Sequence, residues 1–504
     1  MKLSPRNLYA LIRHPTVTLA IGLGLSGAAG SAFLAIINAS FPKTGPGASA
    51  GASSILALSG LNFLLATIVT GMMAGSEQEM ARAVTKAVAL GADPTPVVRS
   101  QARHAAWLIA GTMLATCALS PLLVAKSLGH NWVLFGELLI GLIGGLAIFP
   151  IRGVLTGRRD YPLFSATLIV EGLTRLIPGV AILVLGLSSV WLYGLAFALG
   201  GPTLAAVFGV LAPKLTGRDV YRLEGPTGGK PARKDVPPGI EAEFAAGTQA
   251  AEEAEPEPGQ QDGATAALAG GGTRLSLLTA ASLANQLLFN VIPLLVAARY
   301  TGNVNASGAL KSEASAVNSA VGLTRLGILM LIPLQAPLLP RLTAAAVHRR
   351  YAEVRRRTRV LTSLCAAVGL VSVLCCWLIG PWVLWNVMRA HAHLPGHYLA
   401  SLALGTTFMM VGMIIQSTLL SIERHFVVLI AWLAGVIVTV PVFLVGHSLL
   451  LTTGVAAIVG PFVAMVIMAV DAWAHTRGAD GEQPAITRPA PSENGSVQVQ
   501  KTGA

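Results

Sequence analysis

Charged residues are scarce in this 504-residue chain: Asp, Glu, Lys and Arg make up 12% of it, whereas hydrophobic residues make up 53%. An average soluble domain carries about 25% charged residues. The mean hydropathy of +0.66 agrees with this composition. Together these values exclude an ordinary soluble protein and indicate a chain that crosses a membrane several times.

Cysteine is also rare, with four residues in all: Cys117, Cys365, Cys375 and Cys376. All four lie in hydrophobic runs, none forms a Cys-x-x-Cys motif, and the adjacent pair is poorly suited to bridging itself. We interpret the cysteines as packing residues and not as metal ligands.

Enzyme signatures are missing as well. The sequence has no phosphate-binding glycine-rich loop and no nucleophile elbow, and its predicted outer loops lack the paired carboxylates that a membrane glycosyltransferase needs. One histidine cluster, RAHAHLPGH, contains His391, His393 and His397. Without an acidic or cysteine partner it is a weak zinc motif, so we interpret it as a polar loop at the membrane surface. We therefore predict no catalytic residue, no metal site and no cofactor.

Long hydrophobic runs are abundant. A helix that spans a bilayer needs about 20 apolar residues, and twelve segments meet this criterion. The first is too long for the apolar part of a signal peptide. The twelve predicted spans are 17–40, 53–75, 105–125, 131–150, 163–187, 189–212, 274–298, 309–339, 359–380, 398–420, 425–446 and 449–472.

A polar linker separates the sixth span from the seventh. It is rich in Pro, Gly, Ala and Glu and has few residues that could form a core, so we predict that it is disordered. The same composition recurs in the C-terminal tail. The predicted organisation is a six-helix lobe at 1–212, a disordered linker at 213–272, a second six-helix lobe at 273–473 and a disordered tail at 474–504. The linker's basic first part and acidic second part leave open whether it recruits a partner.

Basic residues indicate the orientation. The net charge of +12 comes mostly from Lys and Arg in short segments between spans, including the run HRRYAEVRRRTR. These residues concentrate on one side of the predicted topology, which is the cytoplasmic side by the positive-inside rule. We therefore predict cytoplasmic termini, and we expect no nucleic-acid partner because topology already explains the charge.

The two predicted lobes contain similar segments about 260 positions apart. MARAVTKA at the end of span two corresponds to LPRLTAAA at the end of span eight, and CALSPLLV corresponds to WLIGPWVL. RGVLTGRRDYPLFSATLIV corresponds to QSTLLSIERHFVVLIAWLA. Since six spans return the chain to the same side, the repeats run parallel, an arrangement known from transporters.

Polar residues within the spans mark a candidate site, because a charge at the bilayer centre costs about 2.5–3.5 kcal/mol or more. Glu171 and Arg175 share one face of span five, and Arg325 lies near the middle of span eight. The other polar residues of interest are Arg152, Asn62, Asn285, Asn290 and Gln416. Once Glu171 is paired with Arg175 the interior remains cationic, which favours an anion such as phosphate. Alternatively, Glu171 and Arg175 only neutralise each other and hold helices together.

The sequence resembles the multidrug/oligosaccharidyl-lipid/polysaccharide flippase superfamily. The resemblance rests on the six-plus-six parallel repeat, on EQEMAR after span two and on PLQAPLLPRLTAA at the end of span eight. It implies an all-α membrane protein of about twelve transmembrane helices in two six-helix lobes that form a V. The polysaccharide-transporter branch, which resembles O-antigen flippases, fits best.

That branch implies a flippase for polyprenyl diphosphate oligosaccharides, which carries cell-envelope precursors to the outer leaflet of a bacterial-type cell membrane by alternating access. Arg152, Arg175 and Arg325 would then bind the diphosphate, and Asn62, Asn285 and Asn290 the sugar. Glu171 is the candidate coupling residue, with the ion, H⁺ or Na⁺, left open. The resemblance implies membrane lipid and the lipid-linked sugar as partners, and glycosyltransferases or a polymerase of the same pathway as further ones.

Three alternatives remain. A cation-coupled multidrug antiporter has the same architecture but would want unpaired carboxylates in its cavity, for which Glu137 and Glu171 are the candidates. A lipid II flippase usually has an arginine-aspartate pair in span one, where this sequence has no charge. A membrane scaffold that has lost transport would use the linker to recruit partners.

Overall fold

A computed structural model describes residues 15–45, 47–89, 94–158, 160–215, 271–303, 305–328, 350–446 and 448–478. In these ranges the chain is almost entirely helical and forms no strand. The predicted linker and tail lie almost wholly outside the described residues. The second part of predicted span eight, with Pro333, Pro337 and Pro340, also lies outside them.

Twelve long helices in the described ranges follow the predicted spans in order, and we number them α1 to α12. They are α1 Pro15–Ser40, α2 Ala48–Ala89, α3 Thr95–Ala118, α4 Trp132–Gly157, α5 Tyr161–Val184, α6 Val190–Leu215, α7 Gly271–Tyr300, α8 Gly308–Thr324, α9 Tyr351–Leu378, α10 Gly396–Ser421, α11 His425–Val445 and α12 Leu449–Gly478. Ten of the helices in the described chain are long and apolar enough to cross a membrane, and α3 with the short helix Ser120–Lys126 makes an eleventh, bent by 61°. The predicted all-α polytopic fold is confirmed.

Proline accounts for several interruptions. The break after α3 falls just before Pro121, and the chain after α9 breaks just before Pro381, because proline is favoured in the first turn of a helix and disfavoured inside it. Helix α6 contains a π-helical turn, Leu199–Thr203, around Pro202. Proline leaves the Ala198 carbonyl without its usual donor, and the Thr203 hydroxyl donates to that carbonyl at 3.0 Å.

The two halves repeat the same local backbone structure. Around Pro121 and Pro381, main-chain hydrogen bonds recur at an offset of 260 residues. In the first half, the N–H groups of Leu119, Leu123, Leu128 and His130 donate to the carbonyls of Ala115, Leu119, Leu123 and Val124, respectively. In the second half, the N–H groups of Ile379, Val383, Met388 and Ala390 donate to the carbonyls of Cys375, Ile379, Val383 and Leu384. Gly129 has φ 62°, and Arg389 has φ 54° at the matching position. Shared hydrogen bonds of this kind are direct evidence for the internal repeat.

Helix packing follows the repeat as well. In the first half α1 packs on α5 and α4 on α6, and in the second half α7 packs on α11 and α10 on α12. The largest contact between the halves is that of α2 with α7. Gly71 and Gly75 of α2 lie against Leu283 and Thr279 of α7, since small residues let membrane helices approach closely.

Candidate functional site

A cavity of about 360 Å³ lies between the two halves of the bundle. Its wall comes from α1, α2, α5 and α6 of the first half and from α7, α8 and α10 of the second. Because both halves supply wall residues, a movement of one half against the other would change the shape of the cavity.

Five of the six predicted binding residues meet at this cavity: Asn62 from α2, Arg175 from α5, Asn285 and Asn290 from α7, and Arg325 just after α8. The sixth, Arg152 in α4, is not part of the wall and is only 6% exposed. The structure thus brings together residues that are far apart in the sequence, and it separates Arg152 from them. Their roles in binding stay predictions.

Glu171 is shared by two arginines. One carboxylate oxygen, Oε1, accepts from Nη2 of Arg175 at 2.6 Å, and Oε2 accepts from Nη2 of Arg152 at 2.7 Å. Arg152 also donates through Nε to the Thr167 hydroxyl at 3.1 Å. The sequence predicted only the pair with Arg175. With two arginines to one glutamate, these three side chains carry one net positive charge, and a second carboxyl, that of Glu77 in α2, lies close enough to Arg152 to interact with it.

Arg175 lies at the cavity end of this cluster. Its Nε donates to the Glu171 main-chain carbonyl at 3.1 Å, and its guanidinium carbon lies 5.2 Å from the centre of the Phe197 ring. Gly200, in the π-helical turn of α6, packs directly against the main chain of Thr174 and Arg175, where an added methyl group would overlap the Thr174 carbonyl. The π-helical turn therefore helps to place Arg175 at the wall.

Arg325, predicted near the middle of span eight, is the residue directly after α8, at its C-terminal cap. It donates through Nη1 to Asn290 Oδ1 at 2.8 Å and through Nη2 to the main-chain carbonyl of Phe289. Its guanidinium carbon lies 4.0 Å from the centre of the Phe289 ring. No carboxylate in the described part of the chain accompanies Arg325. Its positive charge is therefore uncompensated by an ion pair within the described residues.

The unpaired polar groups of the wall are hydrogen-bond donors. Asn290 is 1% exposed, and because its Oδ1 accepts from Arg325, the free atom is the amide Nδ2. Asn285, 8% exposed, has an unpaired Nδ2 as well. A buried polar group without a partner is costly, and two donors at one cavity suit a ligand rich in acceptors.

No carboxylate lines the cavity in the described part of the chain. Glu137, a candidate coupling residue of the antiporter alternative, lies in α4 against Gly194 and is only 4% exposed. One of its oxygens, Oε2, has no partner. This carboxyl is therefore outside the cavity that holds the arginines.

Aromatic side chains at the cavity wall and one asparagine away from it were missed. Phe33, Tyr193, Phe197 and Phe289 line the cavity. Apolar rings within spans look like ordinary core residues, so the sequence offered no signal for them. Asn38 of α1, which we did not single out, carried a signal that was available, because it is a polar residue inside a hydrophobic run.

Asn38 joins the two halves at the end of the bundle where α1 meets α2. Its amide donates to the Ser319 hydroxyl at 3.0 Å and to the Met388 carbonyl at 2.8 Å, and its own carbonyl lies 3.1 Å from His391 Nε2. Nearby, Lys43 lies over the Trp385 ring at 4.8 Å. We call Asn38, Ser319, Met388 and His391 the latch.

His391 was predicted to belong to a polar surface loop, but it is only 7% exposed in the latch. His393 stacks on Trp385, with ring centres 3.6 Å apart. Among the described residues, no group of three metal-binding side chains is close enough to hold an ion. All four cysteines are free, and Cys365 and Cys376 are buried.

Solved structures share this architecture. An inward-facing multidrug resistance MATE family transporter of the MOP superfamily superposes with a TM-score of 0.60 at 14% identity, covering 92% of this chain and 99% of its own. The chain has the MATE transporter fold. An outward-facing multidrug resistance MATE family transporter gives 0.57 at 15% identity, covering 94% and 98% of the two chains. The bent form of the Vibrio cholerae MATE transporter VcmN gives 0.51 at 13%, covering 92% and 99%.

Sequence comparisons add no closer relative. No family model matches the chain, and no curated protein matches it. At identities of 13–15% the likeness to MATE transporters is one of fold. The substrate must therefore be argued from the cavity itself.

Proposed function

We propose that the chain is a transporter that moves a polyprenyl diphosphate-linked sugar across the membrane by alternating access. The observation that carries this proposal is the chemistry of the cavity wall: it contains Arg175 and Arg325 and no carboxylate among the described residues. Arginine binds phosphate oxygens through a planar fork of donors. A diphosphate esterified on both sides has two negative charges, one for each of the two arginines at the wall, Arg175 and Arg325.

The amides of Asn285 and Asn290 extend the same argument to the sugar, because hydroxyl and phosphate oxygens can accept from their unpaired Nδ2 atoms. The volume of about 360 Å³ lies at the lower end of the roughly 300–1,000 Å³ of ligand pockets. It suits a polar head group, with the polyprenyl tail remaining in the lipid.

Alternating access requires two halves that move relative to each other. Support for this comes from a cavity shared by both halves and from the latch, which joins them at one end through a few hydrogen bonds. A small polar contact of this kind can be broken and remade at low cost when water replaces its hydrogen bonds.

A second candidate is export of organic cations, because the similar solved structures include multidrug resistance transporters. The aromatic rings of Phe33, Phe197 and Phe289 at the wall could bind a cation by cation–π contacts. The two arginines oppose it by charge repulsion. We therefore rank the anionic lipid-linked sugar first.

The test is transport by the purified protein in liposomes, with a polyprenyl diphosphate sugar and an organic cation as alternative substrates. We expect the wild type to move the lipid-linked sugar, and Arg175→Gln and Arg325→Gln to lower the rate at least about tenfold. Arg175→Lys and Arg325→Lys, which keep the charge, should retain more activity. Arg82→Gln removes a charge far from the cavity, where Arg82 pairs with Glu79 on the exposed part of α2, and should leave transport unchanged. Movement of the cation alone would overturn the proposal.

A further inference from the structure

Arg152 is a buried arginine without access to the cavity. Its side chain is 7% exposed, and its donors go to Glu171 at 2.7 Å and to Thr167 at 3.1 Å. Its guanidinium carbon also lies 5.8 Å from the centre of the Phe164 ring. An arginine placed in this way cannot bind a ligand in the cavity without leaving its partners.

Arg152 can affect the charge at the cavity indirectly, through Glu171. Each of its two carboxylate oxygens holds one arginine. If Arg152 were absent, Glu171 would pair with Arg175 alone, and the two charges would cancel at the wall. With Arg152 present, Glu171 is already neutralised, and the positive charge of Arg175 remains available.

We propose that Arg152 is a positioning residue for the transported anion: it holds Glu171 so that Arg175 can exchange the carboxylate for a phosphate oxygen. This inference rests on the proposed function, in which the ligand is an anion. When a phosphate enters, Nη2 of Arg175 releases Glu171 Oε1, and Oε2 keeps its bond to Arg152. The carboxylate is therefore never left buried without a cation, a state that is strongly unfavourable.

Arg175 has contacts that keep it in place during the exchange. Its Nε bonds to the Glu171 main-chain carbonyl, and its guanidinium lies over the Phe197 ring. Neither contact involves the carboxylate. A small rotation of the guanidinium is then sufficient to move Nη2 from Glu171 to a ligand in the cavity.

A set of charge variants distinguishes the proposed role of Arg152 from a purely structural one, because the two roles predict different affinities for the double variant. Two arginines and one glutamate carry one net positive charge, and Glu77, which interacts with Arg152, is the same in every variant. Arg152→Gln lowers this to zero, Glu171→Gln raises it to two, and the double variant returns it to one. If Arg152 only tied α4 to α5, the double variant would be no better than Arg152→Gln.

The experiment measures binding of inorganic pyrophosphate to the purified full-length protein by calorimetry, with the thermal unfolding temperature of each variant recorded beside it. We expect Arg152→Gln to weaken binding at least about tenfold, and Glu171→Gln to strengthen it, because a unit charge acts strongly in a poorly solvated site. The double variant should recover to within about threefold of the wild type. Arg152→Lys should retain most of the affinity.

The matched control is the ion pair of Arg82, whose side chain is 63% exposed, with Glu79. Arg82→Gln, Glu79→Gln and their double variant carry the same charge changes away from the cavity, and they should leave binding unchanged. If Arg152→Gln fails to fold, the test compares the pyrophosphate affinities of Arg152→Lys and of the double variant with that of the wild type.

The possible failures are distinguishable. If pyrophosphate binds and Arg175→Gln abolishes binding, but Arg152→Gln binds as the wild type does, the inference is wrong and the proposed function stands. If the double variant does not recover the wild-type affinity for pyrophosphate, the inference is likewise wrong and the proposed function stands. If the folded wild type binds no pyrophosphate, the inference and the proposed function both fall.

Discussion

The guanidinium of Arg325 donates to the main-chain carbonyl of Phe289 in the neighbouring helix α7. Pro293 explains why that carbonyl is available, since it lies four residues later inside the same helix and has no N–H to donate. Arg325 therefore supplies the missing donor, and the residue proposed to bind substrate also stabilises the junction of α7 and α8.

This relationship predicts energetic coupling between Arg325 and Pro293. Arg325→Met removes the donor at similar side-chain length and should lower the free energy of unfolding by about 1–3 kcal/mol. In a Pro293→Ala background the helix can supply its own donor, so the same change should cost less. The measurement is a double-mutant cycle of unfolding in detergent.

The control is Arg299, also in contact with a carbonyl on another helix, that of Phe443 at 3.4 Å. Its partner does not precede a proline by four residues, so Arg299→Met should cost the same in both backgrounds. Equal costs for Arg325→Met with and without Pro293 would show that the capping explanation is wrong.

Two glycines of α4 should respond oppositely to alanine. Gly144 packs against Thr203 in the π-helical turn of α6, and an added methyl would overlap the Thr203 main chain, whereas Gly136 has open space around it. We expect Gly144→Ala to destabilise the protein by about 1–3 kcal/mol, because overpacking forces helices apart. Gly136→Ala should be neutral or stabilising by up to about 1 kcal/mol. Unfolding of the two variants in one detergent checks this, and equal stabilities would contradict the packing shown for α4 and α6.

The latch should weaken in acid. Burial lowers the pKa of His391 below its usual value, and the charge of Lys43 lowers it further, while the hydrogen bond to the Asn38 carbonyl opposes both effects. Arg389 lies close enough to Lys43 to interact with it, so the surroundings of the latch are cationic. The neutral imidazole donates through Nε2 to Asn38, and its buried Nδ1 has no partner.

The sign of the effect follows from the lowered pKa. Protons bind more readily to His391 when the latch is open and the ring is solvated, so the stability that the latch contributes is present at neutral pH and is lost as pH falls below about 6.5. We expect the unfolding temperature to drop between about pH 7 and 5 by more in the wild type than in His391→Gln, whose amide can donate without titrating. A pH dependence unchanged by His391→Gln would exclude this residue as its source.

Much of the site could be predicted from the sequence because the cost of polar groups in lipid makes them conspicuous. Arg175, Arg325, Asn285 and Asn290 were recognised on this ground, and they line one cavity. The bond between Arg152 and Glu171 could not be predicted, because it depends on how α4 and α5 rotate against each other. Nor could the capping of Phe289 by Arg325, which depends on the register between α7 and α8.

The repeat allows a further comparison. Arg152 in α4 and Gln416 in α10 occupy matching positions of the two halves, 264 residues apart. Arg152 bonds to Glu171 and Thr167 of α5, and Gln416 accepts from the indole N–H of Trp432 in α11 at 2.9 Å. In both halves, therefore, this position ties a helix to the one that follows it. The first half does so with charge near the cavity, and the second half does so with neutral groups.

This comparison predicts that Gln416 is structural. Trp432 is fully buried, so Gln416→Leu leaves its N–H without a partner and should lower the free energy of unfolding by about 1–3 kcal/mol. Trp432→Phe in the same chain removes the unpaired donor and should make the loss from Gln416→Leu smaller than in the wild type. The neighbouring Ser417→Ala, which loses only a bond to the Met413 carbonyl one turn earlier, should change stability by less than about 0.5 kcal/mol. Gln416→Leu should leave the affinity for pyrophosphate unchanged, whereas Arg152→Gln should lower it. A change of tenfold or more in Gln416→Leu would show that Gln416 contributes to binding and is not only structural.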